Sequence, residues 1–270
     1  MTKDADIDLI VVTYNHVNEI ESFLRSFDDH RSANIAENLL VVDVAPRDEP
    51  TRLRVGSLVE NVGGAVVHID TNIFYGEACN IGMVLTHNPA ALLLNDDVML
   101  TPNTVEKCLD KLMSDSTYGS LGPMQVDLAG RITAGGVVGP ATAPKQRGWR
   151  STPSKGYQAC IEDSLFVIGS AVFTKRHAWN EMRDCELYKE AVPSPRGAML
   201  PTRLYYEDTW YGYHLRSHGW KNVYYGEAKL IHKWHRSISD EGSTKWSKLR
   251  MGESLEVFRN ACKIHGIECE

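Results

Sequence analysis

Two pairs of adjacent acids carry the plainest chemical suggestion in this 270-residue sequence. Asp96 and Asp97 follow Asn95 and the apolar run 90–94, at what reads as the end of a buried strand. Two carboxylates there repel one another and lose hydration. A divalent cation removes both costs and lets them hold a diphosphate. Glu207 and Asp208 open a helix expected over 206–217, where the helix dipole alone also favours acids. His232 ends a strand-like piece, 228–232, and a neutral imidazole there is a candidate metal ligand. His235 is its rival, and the two at i, i+3 also suggest half a zinc site, although no third or fourth ligand lies near them.

Two further places invite a ligand. Asp43 lies in the apolar run VVDVA (41–45), and a carboxylate there must find donors or stay at a strand tip in water. A nucleobase imide or ribose hydroxyls would serve; a capping role in the strand–loop turn is the alternative. In NIFYGEACNIG (72–82), Gly76 permits close backbone approach at a helix N-terminus, whose N–H groups favour an anion. Asn72 and Asn80 supply amides that can fix the turn, and a capped helix start explains the same residues. The stretch 139–157 carries Lys145, Arg147, Arg150 and Lys155 and no acid. It reads either as a lid closing over a diphosphate or charged acceptor, or as a solvated surface loop.

Such residues act together only if the chain brings them to one edge. Ile7–Thr13 (IDLIVVT), 39–44 (LLVVDV), Ala65–Ile69 (AVVHI) and 90–94 (AALLL) are near-continuous apolar runs, as strands covered on both faces are. Asn15 is expected to cap a helix with apolar positions Val17, Ile20, Phe23, Leu24 and Phe27. Further helices are expected over 75–86 and, opened by Thr101-Pro102, over 102–114. The alternation predicts an α/β fold with a mixed, mainly parallel central sheet flanked by helices, binding ligands at the carboxyl ends of its strands. In the second half, 120–126, 131–138 and 164–173 read as short strands. The helix 206–217, strands 221–225 and 228–232, and a helical 243–265 follow. No linker or internal repeat separates two cores, so one domain is expected.

Composition sets limits. With 43% hydrophobic and 24% charged residues, the chain is ordinary globular protein rather than low-complexity, collagenous or disulfide-scaffold sequence. Its net charge of −6 argues against broad electrostatic capture of nucleic acid or anionic membrane. No run approaches the roughly 18 apolar residues of a membrane span, and the acidic start MTKDAD precedes no signal-like apolar segment. The six cysteines are scattered without a CxxC pair, so a reducing, cytoplasmic setting is expected. A homo-oligomer is compatible with all of this.

In their order, these features resemble the family 2 glycosyltransferases of the GT-A fold, rhamnosyltransferase-like members especially. VVTYN (11–15) is similar to the opening strand motif, LLVVDVA (39–45) to the second strand, and NIFYGEACNIG (72–82) to the N-x-G-F-x-x-A-x-N-x-G stretch. LLLNDDV (92–98) stands in the DXD place, and IGSAVF (168–173) resembles the segment ahead of the acceptor region. YYEDTWYGYHLRSHGW (205–220) resembles the E-D…R…G-W helix, and LIHKWHRS (230–237) the late strand with its metal-binding His.

The resemblance implies a GT-A domain over 1–240, with a nucleotide-binding half to about 130 and an acceptor half beyond, plus a C-terminal helical extension over 241–270. It implies an inverting, metal-dependent hexosyltransferase moving a sugar from a nucleotide-diphosphate donor to an acceptor hydroxyl. Thr13, Tyr14, Asn15, Asp43, Asn72, Gly76, Asn80, Asn95 and Asp96 would contact the donor. Asp97 and His232 would hold Mn2+ or Mg2+. Asp208 would be the general base, with Glu207 orienting hydroxyls. Asp43 suits the imide of a UDP- or dTDP-sugar better than a GDP-sugar. The acceptor would be a glycan, a lipid-linked glycan, a protein or a modified base. Three departures matter: Ala45-Pro46-Arg47 replaces the usual Ser after the second-strand Asp, Asn95 replaces the first acid of DXD, and Trp210 stands where a further acid is common. The rivals are a nucleotidyltransferase making the sugar nucleotide, which would carry a Gly-rich, basic loop in place of Thr13-Tyr14-Asn15-His16, and a non-catalytic nucleotide-sugar-binding module.

Overall fold

The computed structural model describes residues 7–32, 37–233 and 245–269. Its centre is a mixed sheet in the order β10-β12-β6-β11-β4-β1-β2-β3. The strands β1 (Ile7–Thr13), β2 (Glu37–Val44), β3 (Ala65–Ile69) and β4 (Ala90–Asn95) form a parallel block. β11 (Ala171–Lys175) runs antiparallel between β4 and β6 (Tyr118–Val126), and β12 (Lys221–His232) lies parallel to β6. β10 (Ile161–Ser164) closes one edge, while β5 (Val98–Met99) pairs with β12 and β7 (Ile132–Ala134) with β6. A small hairpin joins β8 (Val137–Val138) to β9 (Lys145–Gln146).

The double burial of β1 follows from its alternation. Ile7, Leu9 and Val11 face one core with Phe23 and Phe27 of α1 (Val17–His30), Val55 and Val59 of α2 (Glu49–Asn61), and Leu109 and Leu112 of α4 (Thr104–Met113). Ile10 and Val12 face a second core with Ala78, Cys79 and Met83 of α3 (Phe74–Leu85) and Trp179 and Met182 of α6 (Arg176–Asp184). Each such aliphatic or aromatic side chain contributes about 1.5–3 kcal/mol by leaving water. A third cluster gathers α7 (Glu186–Ala191), α8 (Glu207–Ser217) and the C-terminal α9 (Lys245–Ile264) around Tyr188, Trp210, Tyr213, Phe258 and Cys262.

At the amino end of the sheet, Asp8 receives hydrogen bonds from Arg176 Nη2 at 2.8 Å and the Asn88 amide at 2.8 Å. This pair, with Asp8 buried and Arg176 partly buried, ties β1 to the start of α6. The cysteines form no disulfide among the described residues, and no described helix is long and apolar enough to cross a membrane.

Some elements differ from expectation. Asn15 does not cap α1: it sits in the left-handed region at φ 59°, and His16 precedes the helix instead. The helix expected from 102 begins at Thr104 after left-handed Asn103, because the Thr101 and Thr104 hydroxyls turn back to bond the Lys229 carbonyl. The run 164–173 divides into the end of β10, a connecting segment, and β11, and 131–138 divides into β7 and β8. The two strands expected over 221–232 are one strand, β12, whose pairing with β6 shifts register between Tyr225 and Lys229. Four helices went unanticipated: α2, which buries only Val55 and Val59, and the short α5 (Lys155–Gln158), α6 and α7.

Candidate active site

Pairing register puts the candidate residues along one edge. Thr13 lies opposite Asp43, and Val12 opposite Asn95. β11 enters from that edge, with the Asn95 amide donating to the Ser170 carbonyl at 3.1 Å. β12 ends there too: His232 pairs with Val98, and the Lys233 amide donates to the Asp97 carbonyl at 2.9 Å.

Within this edge, Asp97 and His232 form a buried acid–imidazole pair. They are 5% and 6% exposed, and Asp97 Oδ1 lies 3.3 Å from His232 Nε2. Neither Asp97 Oδ1 nor His232 Nδ1 has a hydrogen-bond partner among the described residues. A buried carboxylate oxygen left so, beside an imidazole, is a donor set that suits a divalent cation. Asp96 differs: its Oδ2 accepts from Thr13 Oγ1 at 2.7 Å and lies 3.7 Å from His16 Nδ1. Burial pushes its carboxyl above the usual range, His16 and Thr13 oppose that, and the Asp97 charge adds to it. His235 lies outside the described residues.

Asp43 is fully buried. Its Oδ2 meets His68 Nδ1 at 2.8 Å, while Oδ1 has no partner among the described residues. Burial raises this carboxyl despite the His68 contact. His68 was not singled out from sequence, although its place opposite Asp43 on the neighbouring parallel strand would have found it. Asn15 braces the adjoining turn, donating through Nδ2 to the Ala45 carbonyl at 3.1 Å and accepting from the Arg47 amide at 2.5 Å. Tyr14 packs, partly buried, against the cluster containing Val42 and Val44.

The start of α3 and the start of α8 meet across Gly169. Tyr75 donates its hydroxyl to the Gly169 carbonyl at 2.5 Å, and the Gly169 amide donates to Asp208 Oδ2 at 2.7 Å. The other oxygen of Asp208 accepts from the Thr209 amide at 2.6 Å. Glu207 Oε2 accepts from the Thr202 hydroxyl at 3.1 Å. Burial raises both carboxyls, and the Asp208 charge raises Glu207 further. Tyr205 and Tyr206, at φ 62° and 72°, place two successive left-handed residues before these acids. Such backbone costs about 1–3 kcal/mol per residue and needs tertiary packing to hold it; Tyr206 stacks on Phe258 of α9 at 5.2 Å.

Gly76 has a packing reason: a Cβ there would stand 2.5 Å from the Leu200 carbonyl and 3.1 Å from Glu207 Cβ. Asn72 Oδ1 accepts from the Phe74 amide at 2.9 Å and fixes the turn. Asn80 spends its amide on Met199, donating to its carbonyl at 2.9 Å and accepting from its N–H at 3.1 Å. In the basic stretch, Arg147 Nη2 bonds the Gly156 carbonyl at 2.9 Å and its guanidinium lies over the Tyr157 ring.

The fold is that of the GT-A glycosyltransferases. No protein-family model and no curated protein matches the sequence. Among solved structures, the chain is similar to GalNAc-T7 with UDP, GalNAc and Mn2+, at a TM-score of 0.67 and 12% identity, covering 97% of this chain and 48% of that one. It is also similar to the mannosyltransferase PcManGT from Pyrobaculum calidifontis, in complex with GDP-Man and Mn2+. There the TM-score is 0.60 at 12% identity, covering 97% of this chain and 74% of that one. The chain therefore spans about half the length of GalNAc-T7.

Proposed function

We propose that the protein is an inverting, metal-dependent glycosyltransferase of the family 2 kind, transferring a sugar from a nucleotide-diphosphate donor to an acceptor hydroxyl. One observation carries the reading. Asp43, the Asp97–His232 pair and the segment that holds Asp208 all stand at the carboxyl edge of the parallel strands, where such sheets take ligands. The unpartnered Asp43 Oδ1 is suited to the N3–H of uracil or thymine, which favours UDP- or dTDP-sugars. Asp97 and His232 would hold Mn2+ or Mg2+, which when bound acts as a Lewis acid for the leaving diphosphate.

Asp208 is the base. The Gly169 and Thr209 amides orient both its oxygens, leaving lone pairs for the acceptor proton. As that proton passes to Asp208, the acceptor oxygen bonds to the anomeric carbon and the bond to the diphosphate breaks, inverting the centre. Glu207, with its proton affinity raised by burial and by its neighbour, is suited to orient hydroxyls. Asn80, Gly76 and Tyr75 are positioning residues that seat α3 and the 169 turn. Residues to about 130 would serve the donor, and those beyond them the acceptor.

Thermal-shift screening of UDP-, dTDP- and GDP-sugars with Mn2+, followed by donor hydrolysis, tests the reading. Stabilisation by one nucleotide class together with release of its sugar is expected. Binding without hydrolysis or transfer to any acceptor would favour a non-catalytic module and overturn it.

A further inference from the structure

A second group of metal-ligating side chains lies in the third cluster, where α6, α7, α8 and α9 come together. Cys185 sits at the junction of α6 and α7. His214 lies in the last turn of α8 and His218 follows four residues later, so both rings project from one face of that helix. The ligating atoms of Cys185, His214 and His218 all lie within 4.8 Å of one another. His265, just beyond the end of α9, places its ring 4.6 Å from His214, nearly perpendicular to it.

Hydrogen bonding sets this group apart from an ordinary packed histidine. His214 is fully buried, yet neither of its ring nitrogens has a partner among the described residues. His265 Nε2 is likewise buried without one. A buried imidazole normally satisfies both nitrogens, and leaving one unmade costs about 1–3 kcal/mol. Trp210 and Tyr188 wall the group, with ring centroids 4.8 and 5.4 Å from His214, whereas His218 is exposed and gives an ion a way in. His218 Nδ1 already contacts the His214 carbonyl at 3.1 Å, which engages that nitrogen and leaves Nε2 for an ion, as backbone contacts do for ligating imidazoles.

We propose that Cys185, His214 and His218, with His265 as the fourth ligand, form a structural Zn2+ site separate from the sheet-edge acids. One thiolate and three neutral imidazoles are a zinc donor set rather than one for Mn2+ or Mg2+, which take oxygen. Tetrahedral bonds of about 2.0–2.3 Å place donor atoms roughly 3.5 Å apart, so binding draws Cys185, His214 and His218 together by about 1 Å from the spacing given above and brings the His265 ring in beside them. Its effect is to pin the end of α9 and the α6–α7 junction to the same turn of α8 whose other end carries Glu207 and Asp208. Binding converts the Cys185 thiol to a thiolate and releases its proton to solvent.

The test uses the full chain, stripped of metal and titrated with Co2+. About one equivalent should bind with a thiolate-to-cobalt charge-transfer band and tetrahedral d–d absorption, and Zn2+ should displace both. Cys185→Ser should abolish the charge-transfer band, and His218→Ala, at an exposed position, should weaken Co2+ binding at least tenfold. Zn2+ should raise the melting temperature of the wild type and not that of Cys185→Ser, with circular dichroism showing that both variants fold. Absence of the band in the wild type, or its persistence in Cys185→Ser, overturns the proposal. No nucleotide sugar is involved, so either result leaves the transferase reading where it stands.

Discussion

Gly169 donates its amide hydrogen to Asp208 Oδ2 at 2.7 Å, and a Cβ added at Gly169 would stand 3.2 Å from that same oxygen. The glycine thus serves two ends: it brings a backbone donor to the acid, and it leaves the acid room. Through the Tyr75 hydroxyl the same peptide is tied to α3, so Asp208 is located by two helices and a turn rather than by α8 alone.

Gly169→Ala should therefore injure catalysis more than folding. The added methyl pushes the carboxylate away from its amide donor, and kcat should fall about 10–100-fold, while overpacking costs about 1–3 kcal/mol. Steady-state kinetics beside a urea melt separate the two. Equal nucleotide affinity with lowered kcat is the expected pattern.

Asp208→Asn should lower transfer by about 10²–10⁴-fold and leave nucleotide binding, followed by calorimetry, nearly unchanged. In the wild type the rate should fall with decreasing pH through a carboxyl value above the ordinary 3.8, because burial raises it. The stability effect has the opposite sense. The folded protein holds this proton more tightly than the unfolded chain does, so stability is lost as pH rises from 3.8 through the raised value. The melting temperature of Asp208→Asn should accordingly gain on wild type across that window.

Asp97→Ala or His232→Ala should weaken Mn2+-supported donor binding by about tenfold or more, and EDTA should then change little. Wild type should lose the same affinity to EDTA. Unaltered donor binding in both variants, with and without chelator, would remove the metal role from this pair.

Asp8→Ala addresses the fold at the far end of the sheet. It strands Arg176 among the Asn88 carbonyl and the Thr86 hydroxyl without its buried counter-ion, and should cost about 3–5 kcal/mol by denaturant unfolding. Activity at low temperature should persist, since Asp8 lies at the opposite end of β1 from Thr13.

The parallel block was legible because its strands are apolar on both faces: β1 and β3 have the bounds expected from IDLIVVT and AVVHI. The acids at strand ends were legible for the same reason, since Asp43, and Asp96 together with Asp97, interrupt runs that otherwise contain no charge. Other features were not, because they depend on contacts distant in sequence. Asn15 looked like a helix cap by type and place, yet its amide goes to Ala45 and Arg47, thirty residues on. Asn80 bonds Met199, and His68 matters only because register sets it beside Asp43. α2 escaped notice because its inward face is two valines, too few to impose a helical period.

Lys221–Tyr225 and Lys229–Ile231 both pair with β6, but Tyr225 lies opposite Pro123 and Lys229 opposite the very next residue, Met124. The intervening 226–228 therefore work as an expansion joint. Downstream of it, Lys229 is clamped by the Thr101 and Thr104 hydroxyls and His232 by its pairing with Val98. Insertions or deletions among sequences of this kind can accumulate upstream of the joint without carrying the imidazole off its mark. A one-residue change between Lys229 and His232 has no such slack and would turn the ring to the opposite side of the sheet.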